Sequence, residues 1–297
     1  MFSLDLRLCA ALLVLPATAA FVPRLLSRLR SPGAALGAAA RSTSTPMPRE
    51  VHATLDRAAV GAGGRVVVVG DVHGCFDELQ LLLAKVEYRA GTDAVVLVGD
   101  LVNKGPKSAE VVRWARAHAT ATVRGNHDDA LLEASLCVGR NAGQDRDAAL
   151  RGRYAYVHDL SAAELEWLAE LPYTVSVPWL NLLVVHAGIV PGVPLAEQDL
   201  RTMFVLRNLV RGEGGASWEA KEQPHDGVKW VDAWRGPEHI VFGHDARRGL
   251  QQAPFATGLD TGACYGGSLT ALVVAADGAR EIVAVDALEA YAAKAGG

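Results

Sequence analysis

The chain has 297 residues, half of them apolar, enough to bury a sizeable core in one or two domains. A formal net charge of -4 excludes a protein drawn to duplex nucleic acid by an overall basic field, so work on polyanions would need local positive charge or metal ions. The four cysteines, Cys9, Cys75, Cys137 and Cys264, form no C-x-x-C pair, which excludes a disulfide framework or zinc knuckle and leaves the expectation of buried thiols in a reducing compartment.

Residues 1–48 read as a targeting leader. The signal-like part, 1–20, has Arg7, an apolar run over 8–15 and small residues at 17–20, with Asp5 as an unusual acid. That run is shorter than the roughly 20 residues of a membrane span, so no transmembrane segment is expected in the mature protein. The transit-like part, 21–48, contains no acidic residue and mixes Arg24, Arg28, Arg30 and Arg41 with Ser, Ala, Gly and Pro. A signal followed by Phe21-Val22-Pro23 and a basic stretch resembles the bipartite leader of algae with complex plastids. Plastid import is the expectation, with the mitochondrion or the secretory pathway as alternatives.

One catalytic domain is expected over 49–290, with a tail at 291–297. Residues 65–70 form a β-branched run that stops at a turn, a buried strand. Residues 76–86 are apolar at Phe76, Leu79, Leu82, Leu83 and Val86, a helical period. The pattern repeats with a strand over 93–100, a helix over 108–117, a strand over 120–123 and a helix over 128–137. Residues 138–153 are polar and read as a surface loop. Ser161 and Glu164 form a capping box that opens a helix to Leu171. Paired strands follow over 173–177 and 181–185. The stretch 190–227 is poorly periodic and reads as a long irregular segment. Further strands are expected over 239–243, 268–275 and 281–285, so a second sheet should pack on the first. The alternation of strand and helix predicts an α/β fold with a parallel layer, whose ligands sit beyond the carboxyl ends of the strands.

Five polar clusters lie at strand ends. They are Gly70-Asp71-Val72-His73-Gly74, Gly99-Asp100-Leu101-Val102-Asn103-Lys104-Gly105, Arg124-Gly125-Asn126-His127-Asp128, Val185-His186-Ala187-Gly188 and Phe242-Gly243-His244-Asp245. Carboxylate and imidazole are ligands for Mn, Fe, Zn or Co. An aspartate in the middle cluster can bridge two metals, and the flanking glycines let the backbone turn sharply. Two such ions roughly 3.5–4 Å apart can activate a water and clamp both oxygens of an in-line displacement at phosphorus. Any one cluster alone is a turn or a satisfied core histidine as readily as a site; all five, in order and each after an apolar run, point to a dinuclear centre.

These clusters resemble the calcineurin-like metallophosphoesterases of the phosphoprotein-phosphatase type, over about residues 65–285. The resemblance implies a two-sheet β-sandwich flanked by helices, with two divalent metal ions at the loops. It implies Asp71 and His73 on one ion, Asn126, His186 and His244 on the other, and Asp100 between them. It assigns His127 as the general acid, and Arg124 and Arg207 as phosphate contacts. The second cluster departs from the protein phosphatases, which usually read Asp-Arg where this chain has Asn103-Lys104. Asn103 supplies no charge to hold His127 as imidazolium, and Lys104 offers a point charge rather than a bidentate fork. With Phe242-Gly-His-Asp-Ala-Arg-Arg-Gly and Gly258-Leu-Asp-Thr-Gly-Ala-Cys-Tyr-Gly-Gly, the cluster resembles the ApaH-like phosphatases. That implies phosphoanhydride substrates: inorganic polyphosphate, a dinucleoside polyphosphate or a capped RNA end. Arg247 and Arg248, next to His244, are expected to add positive charge for a phosphate chain. A serine/threonine phosphatase at the same site is the alternative, and an inactive scaffold a lesser one.

Overall fold

A computed structural model describes residues 45–140, 154–223 and 225–293. The leader up to residue 44, most of the loop read over 138–153, and residues 294–297 of the tail lie outside the described residues. In chain order the strands and helices of the first half are β1 (His52–Thr54), β2 (Val66–Val69), α1 (Phe76–Lys85), β3 (Ala94–Leu97), α2 (Ser108–His118), β4 (Ala121–Thr122), α3 (Asn126–Arg140) and α4 (Ala162–Ala169). The second half adds β5 (Thr174–Val177), β6 (Leu182–Val185), α5 (Leu200–Val205), β7 (Asn208–Arg211), β8 (Trp218–Lys221), β9 (Val228–Lys229), α6 (Trp230–Ala233), β10 (His239–Phe242), β11 (Gln251–Ala253), β12 (Ala256–Gly258), β13 (Ser268–Val274) and β14 (Arg280–Asp286).

Two sheets form the body. One runs β14-β13-β2-β3-β4, with β2, β3 and β4 parallel; the other runs β1-β5-β6-β10-β12-β11. The valine runs explain the layering. Val67 and Val69 of β2 face α1 and α2, among Leu79, Leu82, Val111 and Val112. Val66 and Val68 face the other sheet, against Val175, Leu182, Val184 and Val241. Both faces of the strand are covered, so it reads as a continuous apolar run without alternation. Each buried valine contributes about 1.5–3 kcal/mol over an exposed one. A third cluster around Tyr173, Phe204, Trp230 and Phe242 closes the outer face of the six-stranded sheet.

The capping box forms as expected, with Ser161 accepting from the Glu164 N–H and Glu164 reaching back to Ser161. The stretch 190–227 differs from its reading. It contains α5, capped by Asp199, and strands β7 and β8, which form a three-stranded sheet β8-β7-β9 with β9 just beyond it. Its strands are at most four residues long, too brief for a period of two to register, and Gly212 to Gly215 serve as the turn of a hairpin. β1, β11 and β12 were also too short to read, at three residues each. Helix α3 begins two residues earlier than its apolar period, which puts Asn126 and His127 in its first turn. Packing extends beyond 49–290 on both sides. Thr45 donates to Asp129 at 2.5 Å, and Tyr291 donates from its hydroxyl to buried Glu78 at 2.8 Å. Among the described residues no helix is long and apolar enough to cross a membrane.

Asp93, buried at the start of β3, gives the fold a pH dependence. Burial works to raise its pKa, but hydrogen bonds from Arg89 at 2.7 Å and Arg65 at 2.8 Å outweigh it and hold the carboxyl well below the usual carboxylate range. A carboxyl depressed in the folded state stabilises above its unfolded pKa of about 3.9, and that stability is lost as pH falls towards the folded value. The urea midpoint is therefore expected to fall below about pH 4. Asp93→Asn should lower the midpoint at pH 7 and flatten this acid slope; parallel urea titrations at neutral and acid pH check both.

Candidate metal centre

Every cluster emerges from the carboxyl end of a strand. β2 delivers Asp71 and His73, β3 delivers Asp100, β6 delivers His186, and β10 delivers His244; Asn126 follows β4 on the first turn of α3. His73, Asp100 and His244 have φ of 46°, 52° and 69°, in the left-handed region, which costs an L-residue about 1–2 kcal/mol. Hydrogen bonds within the site sustain these turns. The His73 N–H donates to Asp100 O at 2.8 Å, and the His244 N–H lies 3.1 Å from both Asp71 carboxylate oxygens. Two glycines permit the close approach: a Cβ on Gly243 would overlap Asp71 Oδ1, and one on Gly125 would overlap Asp100 Oδ1.

The donor atoms converge on Asp100. His73 Nδ1 donates to Val102 O at 3.0 Å, so its Nε2 presents a lone pair, 3.3 Å from Asp100 Oδ2. His186 Nδ1 donates to Val98 O at 2.8 Å, so its Nε2 presents a lone pair to Asn126 Oδ1 at 3.1 Å and Asp100 Oδ1 at 3.5 Å. His244 Nδ1 lies 2.9 Å from the same Asn126 oxygen, and its Nε2 is buried with no hydrogen-bond partner among the described residues. Acceptors set against acceptors repel one another, and cations among them relieve that. The sets Asp71, Asp100, His186 and His73, Asp100, His127 each bring their ligand atoms within 4.8 Å of one another, with Asp100 common to both.

Electrostatics agree with this fit. Burial pushes the Asp71 pKa well up, and the neighbouring Asp260 and Asp100 carboxylates push it further. Crowded carboxylates of this kind suit divalent ions. Burial also holds the imidazoles neutral, the form that ligates. His186 is pulled down to about 4. His73 and His244 lie well below the ordinary value through burial, assisted by Lys104 and Arg207 respectively.

His127 stands at the rim, its ring edge-on to His73 with centroids 4.8 Å apart and its Nδ1 2.9 Å from Asn103 Nδ2. Lys104 Nζ reaches inward to 2.7 Å from His73 Nε2 and lies over the Tyr265 ring. Burial works to lower the Lys104 pKa, but Asp100 and Tyr265 raise it on balance, so the amine stays charged. Arg207 lies beside the site, donating to His244 O at 3.4 Å. Arg247 is exposed. Arg248 differs from its reading: its guanidinium is held by Asp245 at 2.6 Å and Asn208 at 2.8 Å, so it ties the His244 loop to β7. Arg124 differs most. It is fully buried, and its guanidinium contacts Thr45, Pro46 O, Asp129 and Ala169 O, with the Tyr173 ring 5.2 Å away. Those partners close a joint between the N-terminal segment, α3 and α4, and the side chain serves packing rather than phosphate.

Three aspartates outside the proposed ligand set also shape the site. Asp128 accepts N–H bonds from Asp100, Leu101 and Gly125 at 2.9–3.0 Å, stitching the second and third clusters together. Burial and the Asp100 carboxylate raise its pKa against those bonds. Asp245 anchors Arg248 and lies 3.7 Å from Arg207 Nε. Asp260 crowds Asp71 from below. The first two close the third and fifth clusters, where the sequence alone gave them no separate role.

Residues 64–259 match the family described as calcineurin-like phosphoesterase. The symmetrical bis(5'-nucleosyl)-tetraphosphatase of Erwinia tasmaniensis is 31% identical over 264 residues, covering 69% of this chain and 92% of that protein. Its counterpart from Klebsiella pneumoniae is 32% identical over 260 residues, covering 69% and 89%. A crystal structure provisionally described as a diadenosine tetraphosphatase superposes with a TM-score of 0.67 at 38% identity, over 80% of this chain and 98% of that one. A serine/threonine phosphatase from Saccharomyces cerevisiae shares the fold, with a TM-score of 0.51 at 16% identity over 82% of this chain and 85% of that one.

Proposed function

This chain belongs to the calcineurin-like phosphoesterase family, and from that premise we propose that it hydrolyses phosphoanhydride bonds, with dinucleoside polyphosphates as its substrates. The observation that carries the chemistry is the convergence of imidazole, amide and carboxylate lone pairs on Asp100. Asp71 and His73 would hold one divalent ion, and Asn126, His186 and His244 the other, with Asp100 shared. When bound, such ions supply Lewis acidity towards phosphoryl oxygens and lower the pKa of water. The donor set admits Mn, Fe, Zn or Co.

The remaining residues bind and orient. Lys104 places a half-buried positive charge beside His73, for a phosphate oxygen. Arg207 adds a guanidinium beside His244, and exposed Arg247 extends positive charge outward along a phosphate chain. His127 presents its ring to the bridging oxygen that departs. The substrate class draws support from tetraphosphatase relatives that are aligned over about nine-tenths of their own length. The leader over 1–48 belongs to this proposal as a plastid import signal; its fusion to a fluorescent protein tests that part.

The test is a substrate panel. The protein is loaded in turn with Mn, Fe, Zn and Co and assayed on diadenosine tetraphosphate, inorganic polyphosphate, capped RNA and a phosphoserine peptide. Metal-dependent cleavage of diadenosine tetraphosphate is expected to lead. Faster turnover of the phosphopeptide than of every anhydride would overturn the proposal in favour of a protein phosphatase.

A further inference from the structure

Beside His244, two guanidinium groups meet one carboxylate. Asp245 is buried, while Arg207 and Arg248 are half-buried. Asp245 Oδ2 accepts from Arg248 Nη1 at 2.6 Å, and Arg248 Nη2 donates to Asn208 Oδ1 at 2.8 Å. The loop around Asp245 is held by its own turn, since the Asp245 carbonyl accepts the Arg248 N–H at 3.0 Å and the Gly249 N–H at 3.2 Å. The second carboxylate oxygen, Oδ1, faces Arg207 Nε at 3.7 Å, too far for a hydrogen bond. Both atoms are buried, and neither has a hydrogen-bond partner among the described residues. The terminal nitrogens of Arg207 are less tightly held. Nη1 donates to Glu222 O at 3.1 Å and Nη2 to His244 O at 3.4 Å. A guanidinium has five N–H donors, one on Nε and two on each terminal nitrogen. Each terminal nitrogen of Arg207 therefore keeps a further N–H for an anion, and two such donors match two oxygens of a phosphate.

We propose that Asp245 is a positioning residue for substrate: it draws the Nε edge of Arg207 inward, so that the terminal nitrogens fork a phosphate. The inference rests on the phosphoanhydride reading of the same site. Arg248 has a part in it. Its ion pair with Asp245 offsets the carboxylate charge, so the three side chains together keep one net positive charge for the anion. Without Arg248, Asp245 would cancel the charge of Arg207 instead of aiming it. A phosphate taken up by the terminal nitrogens competes with the two carbonyl bonds. A small shift of the side chain then brings Nε–H onto Oδ1, and both buried atoms are satisfied on binding. An asparagine at 245 cannot do this. It carries no charge to balance Arg248, its single amide oxygen cannot serve both arginines, and its N–H₂ group opposes a guanidinium donor.

The experiment is a mutant cycle on the zinc-loaded full chain: wild type, Asp245→Asn, Arg207→Ala and the double variant. Calorimetry measures the Kd of inorganic phosphate, steady-state kinetics measure KM and kcat on diadenosine tetraphosphate, and plasma emission measures zinc. Asp245→Asn should raise both Kd and KM about tenfold, the order expected for one charge-assisted hydrogen bond, with kcat within about twofold and zinc content unchanged. In the Arg207→Ala background the same substitution should add nothing, because Asp245 acts through that guanidinium. Arg248→Gln is a second probe should Asp245→Asn fail to fold. It should weaken phosphate binding when Arg207 is present and not when it is absent. Phosphate affinity equal to wild type in Asp245→Asn, or a loss that persists in full without Arg207, would overturn the proposal. So would a loss of zinc together with kcat, which would make Asp245 only a support for His244. A wild type that binds phosphate yet cleaves no anhydride overturns the phosphoanhydride reading instead, and the Kd cycle still decides the role of Asp245.

Discussion

Asp100→Asn should reduce kcat by about a thousandfold or more while leaving the chain folded. Oδ2 of this carboxylate lies 3.3 Å from His73 Nε2, and Oδ1 lies 3.5 Å from His186 Nε2. No other side chain belongs to both ligand sets among the described residues. An amide keeps the shape but removes one negative charge, and its N–H₂ either donates to an imidazole lone pair that would ligate, or repels a cation. Both proposed ions therefore weaken together. Metal content, measured by plasma emission on the purified protein, should drop well below that of wild type. Stability should move the other way in the metal-free chain, because the Asp100 charge is one cause of the raised Asp71 pKa. A thermal melt of metal-free Asp100→Asn is expected at or above the wild-type Tm. A variant that retained both ions and near-normal turnover would show that Asp100 is not shared.

The second large effect is on stability. Arg124→Ala is expected to lower unfolding free energy by about 3–5 kcal/mol, the usual penalty for breaking a buried charged pair. The guanidinium lies 3.2 Å from Asp129 Oδ1 and donates to Pro46 O at 3.1 Å and to Ala169 O. Truncation leaves an acid and two carbonyls short of a donor and opens a cavity beside Tyr173. Against a typical total of about 5–15 kcal/mol this is a large fraction. Urea denaturation of the two proteins measures it. A phosphate-binding arginine would behave differently, raising KM at unchanged stability, so the pair of measurements separates the two roles.

The contrast between Asp100 and Arg124 shows what the sequence carried. A strand end is a local event: an apolar run stops, a glycine turns the chain, and the next polar side chain must face outward there. Asp71, Asp100, Asn126 and His244 each directly follow such a glycine, while His73 lies two residues further on and His186 follows its strand without one, and so the site was legible residue by residue. The direction of a guanidinium is not local. Arg124 finds its partners at Thr45, 79 residues away, and Ala169, 45 residues away. Arg248 looked like free charge beside His244 and instead closes an ion pair with Asp245 three residues before it, a partner plain in the sequence but only one of several open to it. The three-stranded sheet was hidden for another reason. Its strands are two to four residues long and are fixed by pairing across glycine turns rather than by a periodic apolar face.

The buried joint at Arg124 bears on the leader proposed over residues 1–48. Thr45, only 6% exposed, and Pro46 belong to a stretch whose composition still reads as leader, yet they close over Arg124 and Asp129. If residues 1–48 act as the proposed import signal, that signal and the folded body overlap by several residues. A processing peptidase that cut at 48 would strip the joint of two of its partners, and a cut before Thr45 would leave it whole. Arg124 lies two residues before Asn126, the proposed ligand that opens α3. Any trimming point within the proposed leader would thus be tied, through one side chain, to the helix turn that carries Asn126 and His127.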